Sequence, residues 1–230
     1  MSAALGWGAL AASSLVLGGL LGLARKWHPI VIGLVLAFGA GALISAVSFD
    51  LFEAGLEIGS GVAVAAGLAA GALTYFFLDQ LVERRAPGPG AALALGALLD
   101  GIPEQMVLGI GLALGEGVSV SLLAAIFVSN LPEAIGASTD LRAARRRPAV
   151  IMRMWLAVAA VCTVASVAGY ALADATSGDF QAAINGFAAG ALLVMLIDSM
   201  VPEAAEKARR AAGLATVLGF AVAAALSALA

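Results

Sequence analysis

The sequence predicts an all-α integral membrane protein of eight spanning helices, and three observations carry that prediction. Of 230 residues, 62% are hydrophobic and only 12% are charged, whereas soluble domains run near a quarter charged. The mean hydropathy is +1.04, and the apolar residues fall into runs that reach the roughly 20 residues a bilayer crossing needs. Finally, every lysine and arginine lies at the connectors between alternate runs, with Arg153 alone a few residues inside the run that follows.

The runs are 5–24, 29–52, 59–82, 91–114, 118–139, 148–172, 181–204 and 211–229. Run 5–24 has no basic leading segment, so it reads as a first span and not as a cleaved signal. It carries Gly18 and Gly22, small residues at the four-residue spacing that lets helices approach closely. Run 29–52 ends in the acidic stretch Asp50, Glu53 and Glu57. Run 59–82 repeats the small pair at Gly67 and Gly71 and places Asp79 near its inner end. Runs 91–114 and 118–139 each carry a Pro-Glu pair at mid-length: Asp100-Gly101-Ile102-Pro103-Glu104 and Ser129-Asn130-Leu131-Pro132-Glu133. Run 148–172 holds Cys162, the single cysteine, which excludes a disulfide within the chain. Run 181–204 has the pair Gly186 and Gly190, then Asp198 and a looser Pro-Glu in Met200-Val201-Pro202-Glu203. Run 211–229 is plainly apolar. With connectors this short, residues 1–230 form a single transmembrane domain.

The twelve cations are Arg25, Lys26, Arg84, Arg85, Arg142, Arg145, Arg146, Arg147, Arg153, Lys207, Arg209 and Arg210. They cluster after spans 1, 3, 5 and 7, while the other connectors hold acids such as Glu57, Glu116, Asp174 and Asp179. The positive-inside rule then puts the basic connectors in the cytoplasm and both termini outside. Trp7, Trp27 and Trp155 near span ends fit an interfacial aromatic belt. A net charge of -3 without a basic stripe gives no footprint for nucleic acid. His28, the only histidine, sits at a span edge, and no nucleophile–base pair is available at membrane depth, so no enzyme is expected.

The mid-span carboxylates are the candidate site. Asp100 and Glu104, four residues apart, share one helix face, as do Asn130 and Glu133, three apart. Facing one another near the midplane, they would gather three carboxylates and an amide in a low dielectric, a group that protons or a cation must neutralise. Each proline leaves a carbonyl one turn back without its donor: Leu99 before Pro103, Val128 before Pro132 and Asp198 before Pro202. Freed carbonyls at this depth are tolerated where they line a cavity. Hard oxygen donors suit Mg²⁺, Mn²⁺ or Ca²⁺ and also accept Zn²⁺ or Fe²⁺. Asp198 is a further donor or the next station inward. Asp50, Glu53 and Glu57 form either an acidic entrance for cations or a solvated rim.

The paired Pro-Glu motifs in consecutive spans, within eight spans and with both termini outside, resemble the ZIP family of metal transporters. The likeness extends to Ser48–Glu57 in span 2 and to Val201-Pro202-Glu203 in span 7, and is closest to the bacterial branch, which implies the cell inner membrane. The resemblance implies inverted repeats, spans 1–3 and 6–8, around the span 4/5 pair, and movement of divalent metal toward the cytoplasm. It implies Glu104 and Glu133 as metal-bridging ligands, with Asn130 beside them and with Asp100 and Ser129 standing where the family usually has histidine-type ligands. Gly101, Gln105 and Ala134 depart from the family motif, and span 6 has no acid at membrane depth, so one all-oxygen site is expected in place of two metals. The cargo is a divalent cation, Mn, Zn, Fe or Mg, and the lipid bilayer is the other partner; a homodimer is one arrangement open to the bundle. Two alternatives stand beside transport: a membrane protein that keeps the scaffold as a metal sensor or interaction partner, and a carrier of protons or a small polar solute.

Overall fold

The computed structural model describes residues 1–85, 89–113, 120–174 and 178–228. Among them all regular structure is helical. In chain order the helices are α1 (Ser2–Ala24), α2 (Pro29–Ile58), α3 (Gly61–Arg85), α4 (Pro89–Ala113), α5 (Val120–Ala143), α6 (Pro148–Asp174), α7 (Asp179–Ala208) and α8 (Ala211–Ser227). Seven of them, α1 to α7, are long and apolar enough to cross a membrane, and α8 is a shorter apolar helix. The expected connector around Glu116 lies outside the described residues.

The helices run past the predicted ends where local chemistry permits. α2 continues to Ile58 through a wide π turn at Val47–Glu53, and α7 continues to Ala208 through a second at Leu196–Met200. Both helices are 30 residues long. Each π turn leaves a backbone register offset, a feature often found at functional positions. At the start of α2, Pro29 occupies the first turn, where its missing N–H costs nothing, and the Ile30 N–H donates to His28 Nδ1 at 3.4 Å. His28, at the span edge, is thus the N-cap of α2. At the end of α1, Trp27 Nε1 donates to the Leu21 carbonyl at 3.1 Å, with Arg25 over its ring.

Glycines decide which helices pair. α3 lies along α7, α2 along α8, α1 along α5 and α4 along α6. At the α3–α7 contact a Cβ on Gly67 or Gly71 would overlap the backbone carbonyl of Ala183 or Phe187, and one on Gly186 or Gly190 would overlap that of Val64 or Leu68. Gly41 and Gly219 serve the α2–α8 contact in the same way, Gly109 and Gly169 the α4–α6 contact, and Gly18 the α1–α5 contact. Backbones this close gain dispersion contacts over their whole length, the main adhesive available between helices in lipid. All three small-residue pairs of the sequence therefore sit at helix contacts.

Two apolar cores result. One unites Leu36, Leu43, Ile126, Leu192 and Met195; the other gathers Leu15, Ile151, Trp155 and Cys162. Trp155 corrects the aromatic-belt expectation. It is fully buried against Gly19, and its Nε1–H donates to Ser138 Oγ at 2.7 Å. The helix α6 turns this ring inward because Gly19 leaves α1 a slot for it. Outward faces of α3, α6 and α8 expose Phe77, Val164, Leu214 and Val217, an apolar exterior suited to lipid.

Candidate functional site

α4 and α5 each pack chiefly against other helices, and they meet each other only over a limited stretch. That stretch holds the paired motifs. Both helices continue through their prolines, Pro103 and Pro132. Asp100, Glu104, Ser129 and Asn130 are buried, and Glu133 is half-buried. Ser129 Oγ stands 3.2 Å from Glu104 Oε1 and 3.0 Å from the Ile126 carbonyl, so its single proton is shared between the two acceptors. The Asn130 side chain adjoins the Glu104 carboxylate. Glu133 lies within electrostatic reach of Asp100, Glu104 and Glu203.

Neighbouring helices close the site. α2 comes so near at Gly39 that a Cβ there would stand 3.0 Å from Ser129 Cα. On the other side Gly101 makes room for Cys162 of α6, whose Sγ would be 2.7 Å from a Cβ at that position. This gives a packing reason for glycine within the first motif. Cys162 in turn fills the space that Gly101 leaves.

The polar accounting at this site is incomplete. Glu104 Oε2 and Asn130 Nδ2 are buried and make no hydrogen bond, and the adjacent Gln105 side chain, against Gly8 of α1, makes none either. Orphaned groups of this kind cost roughly 1–3 kcal/mol each. Native structures normally satisfy them with a protein group, water or an ion. A carboxylate oxygen facing an amide and a hydroxyl is a donor set for a hard cation.

The structure also separates residues that the sequence grouped. Asp198 is exposed in the π turn of α7 and lies outside the buried group. Among the described residues, no three His, Cys, Asp or Glu side chains converge closely enough to hold an ion together. The buried core of the site is therefore Asp100, Glu104, Ser129 and Asn130, with Glu133 at its edge. At the other end of α2, Asp50 accepts from Ser227 Oγ at 2.9 Å, tying α2 to the last turn of α8, while Glu53 and Glu57 are exposed.

Sequence reasoning missed Tyr75. This buried residue of α3 donates its hydroxyl proton to Asp100 Oδ1. Asp79, one turn along α3, is within electrostatic reach of the same carboxylate. A tyrosine in mid-span, four residues before an acid, was the available signal. Beside it lies a cavity of about 250 Å³ between α3, α4 and α7, lined by Tyr75, Leu99, Pro103, Met106, Ile184 and Ala188 among others. Its walls are apolar, so it is no place for an ion.

No protein-family profile matches the chain. In sequence it is similar to a protein of Arabidopsis thaliana named "Putative zinc transporter", with 31% identity over 189 residues. The chain is a multi-pass membrane protein. The aligned stretch covers 76% of this chain and 30% of the plant protein, so the chain spans under a third of that relative's length.

Proposed function

We propose that this chain is a ZIP-type transporter of a divalent metal cation, with one oxygen-rich site where α4 and α5 meet. The observation that carries the reading is the buried Glu104 carboxylate, whose Oε2 has no partner although Ser129 and Asn130 stand beside it. Glu104 and Glu133 are the core ligands, and Asp100, Asn130 and Ser129 complete the shell once the site closes on the ion, since the three carboxylates do not converge in this structure. Asp50, Glu53 and Glu57 form the acidic entrance, and Asp198 a peripheral station toward the exit. The basic ends of the helices face the cytoplasm, and both termini lie outside the cell inner membrane.

Three further facts support this assignment. The similarity to the plant protein named as a zinc transporter extends over most of the chain. The helix pairs α1–α5 and α2–α8 have counterparts in α6–α4 and α7–α3, as inverted repeats exchanged about the α4/α5 pair require. The two π turns fall in α2 and α7, helices that this exchange relates. Carboxylate, hydroxyl and amide donors favour Mn²⁺ or Mg²⁺ over softer ions, with Zn²⁺ and Fe²⁺ accepted.

Uptake of Mn²⁺ and Zn²⁺ into proteoliposomes tests the reading. Glu104→Gln and Glu133→Gln should abolish chelator-sensitive uptake while the protein stays folded, and undiminished uptake by both variants would refute the site. A second reading, carriage of protons or a small polar solute, is favoured by the absence of three converging His, Cys, Asp or Glu side chains among the described residues. Flux that follows pH and ignores chelators would select it.

A further inference from the structure

Lys207 lies in the last turn of α7, next to Arg209 and Arg210. Its Nζ is 2.5 Å from Glu203 Oε1, and both side chains are largely covered, at 23% and 33% exposure. The lysine stem is held by α2: a Cβ on Gly33 would stand 2.6 Å from Lys207 Cβ. The charged head lies over α5, where a Cβ on Gly136 would stand 3.3 Å from Lys207 Nζ and 3.5 Å from Glu203 Oε1. Gly136 is one helical turn beyond Glu133. Glu203 is also within electrostatic reach of both Asp100 and Glu133. The ion pair thus sits between α2, α5 and α7, directly below the half-buried end of the site.

We propose that Lys207 is a tethered cation that competes with the transported ion at the inner acidic mouth. Its ammonium takes the position at Glu203 that a departing divalent ion must pass. A lysine suits this role because its charge is a compact point on a four-carbon stem that can swing aside. The pair is also weak enough to yield, since both side chains are partly exposed and water competes for each charge. A divalent ion arriving from Glu133 carries twice the charge and displaces the ammonium from Glu203. Once the ion has left, the ammonium returns and repels entry from that side.

This inference rests on the transport reading, and its test separates the two. Mn²⁺ binding to the purified full chain is measured by calorimetry, and Mn²⁺ flux is measured in proteoliposomes. Lys207→Gln should tighten Mn²⁺ binding about threefold, equivalent to about 0.7 kcal/mol, while Lys207→Arg keeps the parent value. In a Glu203→Gln background the same Lys207→Gln change should have no effect, because the position contested by ammonium and metal is gone. Lys207→Met substitutes where the Gln variant is not recovered folded. Unchanged binding in Lys207→Gln, or equal tightening in the Glu203→Gln background, overturns the proposal. A parent that binds Mn²⁺ with these ratios but carries none across the vesicle wall refutes transport and leaves Lys207 as competitor. A parent that binds no Mn²⁺ overturns both.

Discussion

Removing the Tyr75 hydroxyl isolates one interaction at the centre of the protein. Tyr75 is 3% exposed and Asp100 is 7% exposed, so neither partner has water to fall back on. The hydroxyl donates to the Asp100 carboxylate, and hydrogen bonds to charged groups contribute about 1.5–3 kcal/mol in soluble proteins. Measured interhelical hydrogen bonds in membranes are weaker, averaging about 0.6 and reaching about 1.7 kcal/mol, because the unfolded chain in lipid also finds partners. With both partners buried from water the upper part of that range applies, so a coupling of about 1–2 kcal/mol is expected. The assay is a double-mutant cycle over the parent, Tyr75→Phe, Asp100→Ala and the double variant, using reversible unfolding in mixed micelles. Alanine is needed at position 100 because an asparagine would still accept the proton. A coupling below about 0.5 kcal/mol, the level at which distant sites already add, would refute the claim that Tyr75 supports Asp100. In flux measurements Tyr75→Phe should weaken cation uptake without abolishing it.

The remaining predictions address packing, backbone and the balance between stability and function. Gly71→Leu should separate α3 from α7, because even a Cβ there overlaps the Phe187 carbonyl, whereas Gly213→Leu has open space and should be neutral; the melting temperature of each in detergent decides. Ser138→Ala should cost about 1–3 kcal/mol by leaving the Trp155 N–H buried without an acceptor, and Trp155→Phe should add little to it in the same unfolding assay. Arg209 closes α7 with φ 52° and ψ -133°, a conformation suited to glycine, so Arg209→Gly should gain about 1 kcal/mol on unfolding. Glu104→Leu should leave thermal stability unchanged or raised while cation uptake disappears, since it removes an unpartnered buried oxygen.

The helices and their glycine contacts were legible because both follow from local pattern. Apolar length sets a span, and small residues at four-residue spacing set a seam, as at Gly67 with Gly71 and Gly186 with Gly190. The paired motifs of α4 and α5 were legible as stretches that come together for a related reason: a charge in mid-span has few places to go. Which acids join that site was less readable. Asp198 and Asp100 look alike in sequence, both near the middle of an apolar run. The π turn at Leu196–Met200 alters the register of α7, and Asp198 ends on an exposed face. A helical period counted at 3.6 residues per turn cannot anticipate that offset. Trp155 was misplaced because a tryptophan near a span end usually marks the interface, and only the three-dimensional slot at Gly19 shows that it points inward. Tyr75 escaped notice because its partner is on another helix, 25 residues on.

The strongest helix adhesion and the buried carboxylates of α4 and α5 occupy different parts of this bundle. The close seams run along α3–α7, α2–α8, α1–α5 and α4–α6, and glycine-to-carbonyl contacts dominate them. α4 and α5 contribute little adhesion to each other, yet the unsatisfied groups of Glu104, Gln105 and Asn130 lie in and beside the stretch where they meet. A polar cluster that clamped helices together would be fully paired, because each unpaired atom subtracts from the clamp. Here the incompletely bonded atoms of Glu104 and Asn130 lie beside the short contact between α4 and α5, while a further one, Asn185 Oδ1, lies on α7 next to Gly186 of the α3–α7 seam. The bundle can therefore lose interactions at α4–α5 and keep the four close helix pairs on which its packing depends.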